Sequence, residues 1–373
     1  MIAWEAKTLG EVVRLEYGKP LDSSDRNPNG LYPAYGANGE KNRTDKFYKD
    51  QPSIIVGRKG SAGEIRLTED KYWPLDVTYF VEFDRQRYDL RFLYYLLTRL
   101  DLPSLAKGIK PGINRNEVYG LPVMVPTLAE QRRIVAILDE AFKGIATAKA
   151  NAEKNLQNAR ELFDGHLQTA FSQRNPRWVQ RRLQDVCEKI TDGTHQTPKY
   201  FDSGVVFLSS RNVTSGKIDW ENIKYIDEKQ HKEMHRRVAP RMGDILLAKN
   251  GTTGVAAIVD RDTAFDIYVS LAMIRSRGDV LPKFLLRFIN SPVAKLQFNK
   301  RLKGVGVPNL HLEEIREVLV QFPESLEDQQ MVVDELDELH SKIEGLKDLQ
   351  RRKLAALDVL KKSLLHQAFS GAL

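Results

Sequence analysis

Cysteine is almost missing from this chain. Cys187 is the single one in 373 residues, which excludes a disulfide framework and any Cys-rich zinc site. No stretch approaches the ~18 uncharged apolar residues that a membrane span requires. The opening MIAWEAKTLG carries no apolar run of the signal-peptide kind, so a cytoplasmic location is expected. No Gly-x-x-x-x-Gly-Lys-Ser/Thr loop is present to hold phosphates. Nor is there an Asn/Asp-Pro-Pro-Tyr/Phe segment, as adenine methyltransferases use, or a helicase or nuclease motif. His195 has many candidate partners for a Ser-His-Asp site, but nothing positions a nucleophile. His231 and His235 stand at i and i+4 and invite a metal reading. Glu233 is out of place for a zinc protease and no third ligand is visible, so an exposed helix face and no metal are expected. With no catalytic motif the chain reads as a binder and not an enzyme.

What is present is ordinary in bulk: 42% hydrophobic and 29% charged residues, as in folded soluble proteins. The length favours two or more domains over one core. The net charge of +7 is uneven, with +2 in residues 1–127, +6 in 177–326 and −2 in 327–373. Basic charge in the central segments suits a polyanionic partner.

The chain repeats itself, a pattern to be sought before any other. Trp4, Leu9 and Val12 recur as Trp178, Leu183 and Val186. Ser53 to Ile65, SIIVGRKGSAGEI, recurs as Asp244 to Ala256, DILLAKNGTTGVA. Each runs from an apolar strand into a Gly-x-x-Gly turn, Gly60 with Gly63 and Gly251 with Gly254. FLYYLL from Phe92 answers FLLRFI from Phe284, and LQTAFS from Leu167 answers LHQAFSG from Leu365. The offset drifts from 174 to 198 through the globular parts, as loop insertions would cause. From residue 130 to 172 it is fixed at 198, which requires a rigid element of conserved length.

Proline marks where those elements begin. None occurs between Pro126 and Pro176, and Pro323 is the last in the chain; a proline before a long periodic run is a helix-start signal. In the second run Leu336, Leu339, Ile343, Leu346, Gln350, Lys353, Leu357, Leu360 and Leu364 alternate spacings of three and four, the seam of a coiled coil. The matching positions in the first run are Leu138, Ala141, Ile145, Ala148, Ala152, Asn155, Ala159, Leu162 and His166, small residues set against leucines. The expected fold class is α+β: two similar mixed α/β domains separated by two long helices that could interdigitate as a coiled coil, an internal pseudo-two-fold duplication. The expected segments are 1–127, a helix at 128–175, 176–326 and a helix at 327–373.

Polar residues gather just beyond the apolar strands. In the first half these are Tyr35, Asn38, Lys41 and Asn42, then Arg58, Lys59 and Ser61. In the second they are His195 and Thr197, then Ser210, Arg211 and Asn212, then Lys249, Asn250, Thr252 and Thr253. Arg pairs bidentately with guanine and Asn with adenine, while Lys and backbone amides hold phosphates. The same residue types also favour plain surface turns.

In order, spacing and duplication these motifs resemble the specificity subunits of type I restriction-modification systems. The marks are the Trp-x(4)-Leu start of each half, YPAYGANG, IIVGRKGSAG, DGTHQTP, DILLAKNGTTG, the helix start VPTLAEQRRIVAILD and the two helix ends. The resemblance covers essentially the whole chain. It implies that each domain reads one half of an asymmetric bipartite double-stranded DNA site. It implies that these are target-recognition domains, and that the two helices pair as an antiparallel coiled coil, set the spacer and dock two methyltransferase subunits, with restriction subunits joining through them. S-adenosylmethionine, ATP and Mg would then belong to those partners and no cofactor to this chain. The chain departs from the family in LEDQQMV, which has Asp328-Gln329 where Glu130-Gln131 stands in the first half. A different class, an RNA-binding adaptor with a helical arm, is opposed by the duplication and would show as salt-sensitive binding to structured RNA.

Overall fold

The computed structural model describes residues 4–68, 71–172, 177–302 and 309–373; the expected boundary at 175–176 lies outside them. Two compact units form: residues 1–152 with 352–373, and residues 153–351. Each is built on the same three sheets.

In the first unit Arg14–Tyr17, Thr78–Glu82, Ile54–Gly57 and Ile65–Leu67 make a four-stranded sheet in that order. Gly39–Thr44, Tyr32–Gly36 and Trp73–Pro74 make a three-stranded one, its last pairing parallel. In the second unit Cys187–Asp192, Leu271–Ser276, Ile245–Ala248 and Ala256–Ile258 repeat the first sheet. Lys224–Ile226, Val205–Leu208 and Phe265–Ile267 repeat the second, again with a parallel last pairing. A third pairing closes each domain, Glu5–Thr8 with Pro122–Val125 and Trp178–Arg182 with Leu319–Pro323. The central strands IIVG and ILLA are buried along their whole length, which is why they read as unbroken apolar runs and not as alternating ones. Cys187 is buried, and burial pushes its thiol pKa up to about 12, so it packs as a small apolar group.

The two long helices, Leu128–Ser172 and Leu326–Ser370, have 45 residues each, about 67 Å at 1.5 Å per residue. They pack against each other antiparallel within both units. In the first, Phe142 meets the Lys361 ammonium 5.1 Å from its ring centroid, Lys149 pairs with Asp358, and Arg133 donates to the Leu373 carbonyl at 2.7 Å. In the second, Phe163 stacks on His340 with centroids 4.9 Å apart, and Leu167 and Phe171 share a core with Val333 and Leu336. Each helix end is anchored by the repeated Ala-Phe-Ser: Phe369 packs on Phe92, and Phe171 on Phe284.

The expected seam needs correction at Leu162, Leu346 and Leu360. Leu138, Ile145, Leu336 and Ile343 are buried, and Leu357 and Leu364 half-buried. Leu162, Leu346 and Leu360 are about half exposed, at 50%, 51% and 46%, and face away. The inward positions between the shared ones fall one residue later, on His340, Lys347 and Leu354. In the first helix they fall on Leu156, Phe163 and Leu167 after Ala152. An α-helix drifts ~20° per heptad against a strict 3.5 repeat. A leucine-weighted reading also overlooks that a lysine stem packs as an apolar group when its ammonium has a partner; the Lys347 side chain is only 15% exposed and its ammonium pairs with Glu344 at 2.6 Å.

The duplication reaches single side chains. Gln131 accepts from the Asp89 N–H and donates to the Pro126 and Arg87 carbonyls. Gln329 accepts from the Leu281 N–H and donates to the Pro323 and Asp279 carbonyls. Both glutamines are buried. Asp139 binds Arg91 and the Tyr95 hydroxyl, and Asp337 binds Arg287. These clamps fix each long helix to the globular part that precedes it. The Glu-to-Asp departure at 328 leaves the clamp untouched, because the glutamine does the holding.

Candidate nucleic-acid interface

The Gly-x-x-Gly turns have the same construction in both halves. Gly60 and Gly63 have φ of 82° and 83°, Gly251 and Gly254 of 74° and 80°, a region where a Cβ is strained. The Gly63 amide donates back to the Gly57 carbonyl at 2.7 Å, as Gly254 does to Ala248 at 3.0 Å.

In the first half this turn is drawn against two other loops. A Cβ on Gly57 would lie 2.7 Å from the Ala37 carbonyl oxygen, so the hairpin tip holding Asn38 sits beside Arg58–Ser61. Asn38 and Lys41 are exposed, Lys59 is exposed, and Asn42 and Ser61 are half-buried. Tyr35 is half-buried, its ring edge-on to Tyr72. On the other side Gly60 donates to the Pro111 carbonyl at 2.8 Å and Ile113 to that of Arg58 at 3.2 Å. That brings in Lys107, Ile109 and Lys110, which sequence reading passed over. Arg58 and Arg115 bracket the half-exposed Tyr17 ring at 5.3 and 5.1 Å from its centroid, and Arg58 also donates to the Asp76 carbonyl. The signal for these residues was AKGIKPGINR, a turn with cations spaced around glycines. Below Tyr17, burial first and the Tyr17 hydroxyl second push the Tyr79 phenol pKa up to about 12, so it stays neutral.

In the second half the centre of the site is a buried carboxylate. Asp192 pairs with Arg237 at 2.9 Å, Lys249 at 3.2 Å and His195 at 3.3 Å. Thr197 shares a hydrogen bond with the Tyr268 hydroxyl at 3.3 Å, and Ser210 N–H donates to Ser270 at 3.0 Å. His195, Thr197, Arg211 and Thr252 are exposed; Ser210, Asn250 and Thr253 are half-buried. Asn250 bridges Asn309, the counterpart of Lys59 against Gly112. Two expected readers are corrected. Asn212 is buried, its amide spent on Ser209 N–H and on the Asp219 and Asn222 carbonyls. Lys249 is 5% exposed and its ammonium faces Asp192. Both hold loops in place; a charged or amide residue beyond a strand looks the same in sequence whether it points outward or back. Arg237 and Tyr268 were not anticipated, because each joins the cluster from a distant segment.

A doubled α/β scaffold, each copy with a glycine turn and cations at its tip and a long paired helix behind it, defines a tandem recognition protein. The family model for the type I restriction modification DNA specificity domain matches residues 1–157 and again 175–352, and the chain belongs to that family. It is thus a recognition component and not a catalyst. A putative type I restriction enzyme specificity subunit of Haemophilus influenzae is 24% identical over 90% of this chain and 88% of its own length. The MjaVIII specificity subunit of Methanocaldococcus jannaschii is 23% identical over 99% and 92%. Among solved structures, a chain from a study of assembly and conformational transition of the type I R-M system matches with TM-score 0.78 at 20% identity, covering 100% of both. The HsdS subunit from Thermoanaerobacter tengcongensis matches at 0.57 and 20%, covering 99% of this chain and 97% of its own. At these identities the structural likeness speaks for the fold. No helix among the described residues is long and apolar enough to cross a membrane.

Proposed function

We propose that residues 1–127 and 176–326 each read one half of an asymmetric, bipartite double-stranded DNA site through the loops at their glycine turns. The helices Leu128–Ser172 and Leu326–Ser370 set the number of unread base pairs between the halves. The observation that carries this reading is the doubled turn, two tips of one backbone design bearing different side chains. Arg58, Lys59, Lys107 and Lys110 surround one; His195, Arg211, Thr252 and Asn250 surround the other. One scaffold with two side-chain sets suits two different half-sites, because base contacts specify while the backbone only positions.

The helices also dock two methyltransferase subunits, and restriction subunits join through that assembly. Supporting this, Leu162, Leu346, Leu349, Val359 and Leu360 are exposed apolar residues on these helices, which a partner would cover. S-adenosylmethionine, ATP and Mg belong to those partners.

The test is co-expression with a type I methyltransferase subunit, followed by single-molecule mapping of methylated adenines. Methylation at one two-part motif with a fixed gap is expected. A continuous motif, or one that persists without this chain, would overturn the reading.

A further inference from the structure

The second recognition domain contains a side-chain cluster unrelated to the glycine turn. His231 and His235 lie on the helix Glu228–Arg237, one turn apart, and Asp266 on the strand Phe265–Ile267 beneath it. The Asp266 carboxylate is 1% exposed, with His231 Nδ1 at 2.6 Å from Oδ2 and His235 Nδ1 at 3.4 Å from Oδ1. One nitrogen or oxygen from each residue lies within 4.8 Å of the others. The helix face expected to be solvated is turned inward, its side chains 16% and 34% exposed. The third ligand missing from the sequence pattern is supplied 31 residues further on, by a strand.

Two buried atoms here, Asp266 Oδ1 and His235 Nδ1, have no hydrogen-bond partner. Buried polar groups in native proteins are almost always paired with protein, water or an ion. A carboxylate taken out of water without full compensation is costly. A cation between the three groups would satisfy every one of these atoms.

We propose that His231, His235 and Asp266 bind a divalent transition metal of the zinc type. Zinc takes imidazole nitrogen and carboxylate oxygen at about 2.0–2.2 Å, and tetrahedral placement sets ligand atoms about 3.3 Å apart. The His235–Asp266 separation already has that value, and the His231–Asp266 pair must open by less than an ångström. A cavity of about 160 Å³, lined by Gly193, Thr194, Gln196 and Glu233, reaches Asp266 and is wide enough for water to approach that carboxylate. The remaining charged group lining it, Arg237, is held on Asp192 at 2.9 Å. The metal acts as a brace, tying the helix to the strand beside the Gly193–Gln196 loop. In the first half residues 45–53, between the matching strands, contain no helix, so the brace belongs to the second domain alone. The inference stands on these three residues and not on what the domain reads.

The experiment uses the full-length chain without a histidine tag, stripped with chelator and titrated with zinc chloride. One zinc per chain is expected, with a raised melting temperature, and His235→Ala should weaken binding at least tenfold while its circular dichroism is unchanged. Cobalt(II) titration of the unaltered chain should give the intense visible absorption of a four-coordinate site, a readout that needs no variant to fold. Zinc well below one equivalent, only weak six-coordinate cobalt absorption, or a folded His235→Ala chain that binds as tightly would each overturn the site. A His–Asp cluster that only shares protons gives those same negative results.

Discussion

The residues that carry the proposed interface differ in how much each does besides meeting DNA. Lys59 and Lys110 are exposed, and neither anchors the fold. Replacing both with alanine should weaken DNA binding for every sequence. It should also lower the slope of log K against log salt by about 0.9 for each phosphate no longer neutralised, with the melting temperature unchanged. An unaltered salt slope would place the phosphate-binding cations elsewhere. Arg58 is a poorer probe, because its guanidinium also holds the Asp76 carbonyl and the Tyr17 ring. The glycines divide in the same way. Gly60 has open space where a Cβ would go, whereas at Gly63 that atom would lie 2.3 Å from the Pro103 nitrogen. Gly60→Ala should cost about 1 kcal/mol, the strain of a positive φ alone. Gly63→Ala should cost roughly 3 kcal/mol or more, since backbone must also move. Urea denaturation of the two variants separates them, and equal costs would mean the turn is not packed as described.

At the scale of elements, the long helices are held to the domains by a few buried polar groups. Gln131→Ala and Gln329→Ala each strand a backbone N–H and two carbonyls. A buried group left unpaired costs about 1–3 kcal/mol, so each variant should lose on the order of 2–3 kcal/mol in urea denaturation, and the two losses should match. A near-neutral Gln329→Ala would show that water replaces the clamp in that half. His340 gives the helix pair a pH dependence. Burial first, then the Arg287 charge with Lys347 and Lys217 behind it, lowers its pKa below the ordinary 6.5, and Glu344 opposes them. The folded state thus keeps this imidazole neutral where the unfolded chain would protonate it. The stability it contributes is present above pH ~6.5 and is lost as pH falls below that value toward its folded pKa. His340→Phe, which keeps the stack on Phe163, should flatten that part of the stability–pH curve. An unchanged curve would rule the group out as its source.

At the scale of the molecule, fixed helix length is the basis of the proposed ruler. Four residues added to both helices is about one turn, or roughly 6 Å. The unread spacer should then grow by about one to two base pairs, read from the methylated motif; a constant spacer would refute helix length as its measure. The duplication, the α+β class and the two long helices were legible in the chain because they rest on local facts. These are an offset fixed at 198, proline-free runs, and strands buried on both faces that read as continuous IIVG and ILLA. Direction was not legible. Leu346 and Leu360 face outward while Lys347 lies in the seam, and Asn212 and Lys249 turn inward from loops that look alike in sequence. Nor did spacing reveal Asp266 beneath His231 and His235, or Tyr17 between Arg58 and Arg115. Periodicity and turn chemistry are set by a residue and its near neighbours, so sequence alone determined the elements and their repetition. Which side chain meets which depends on how segments tens of residues apart pack, and only the tertiary structure decided that.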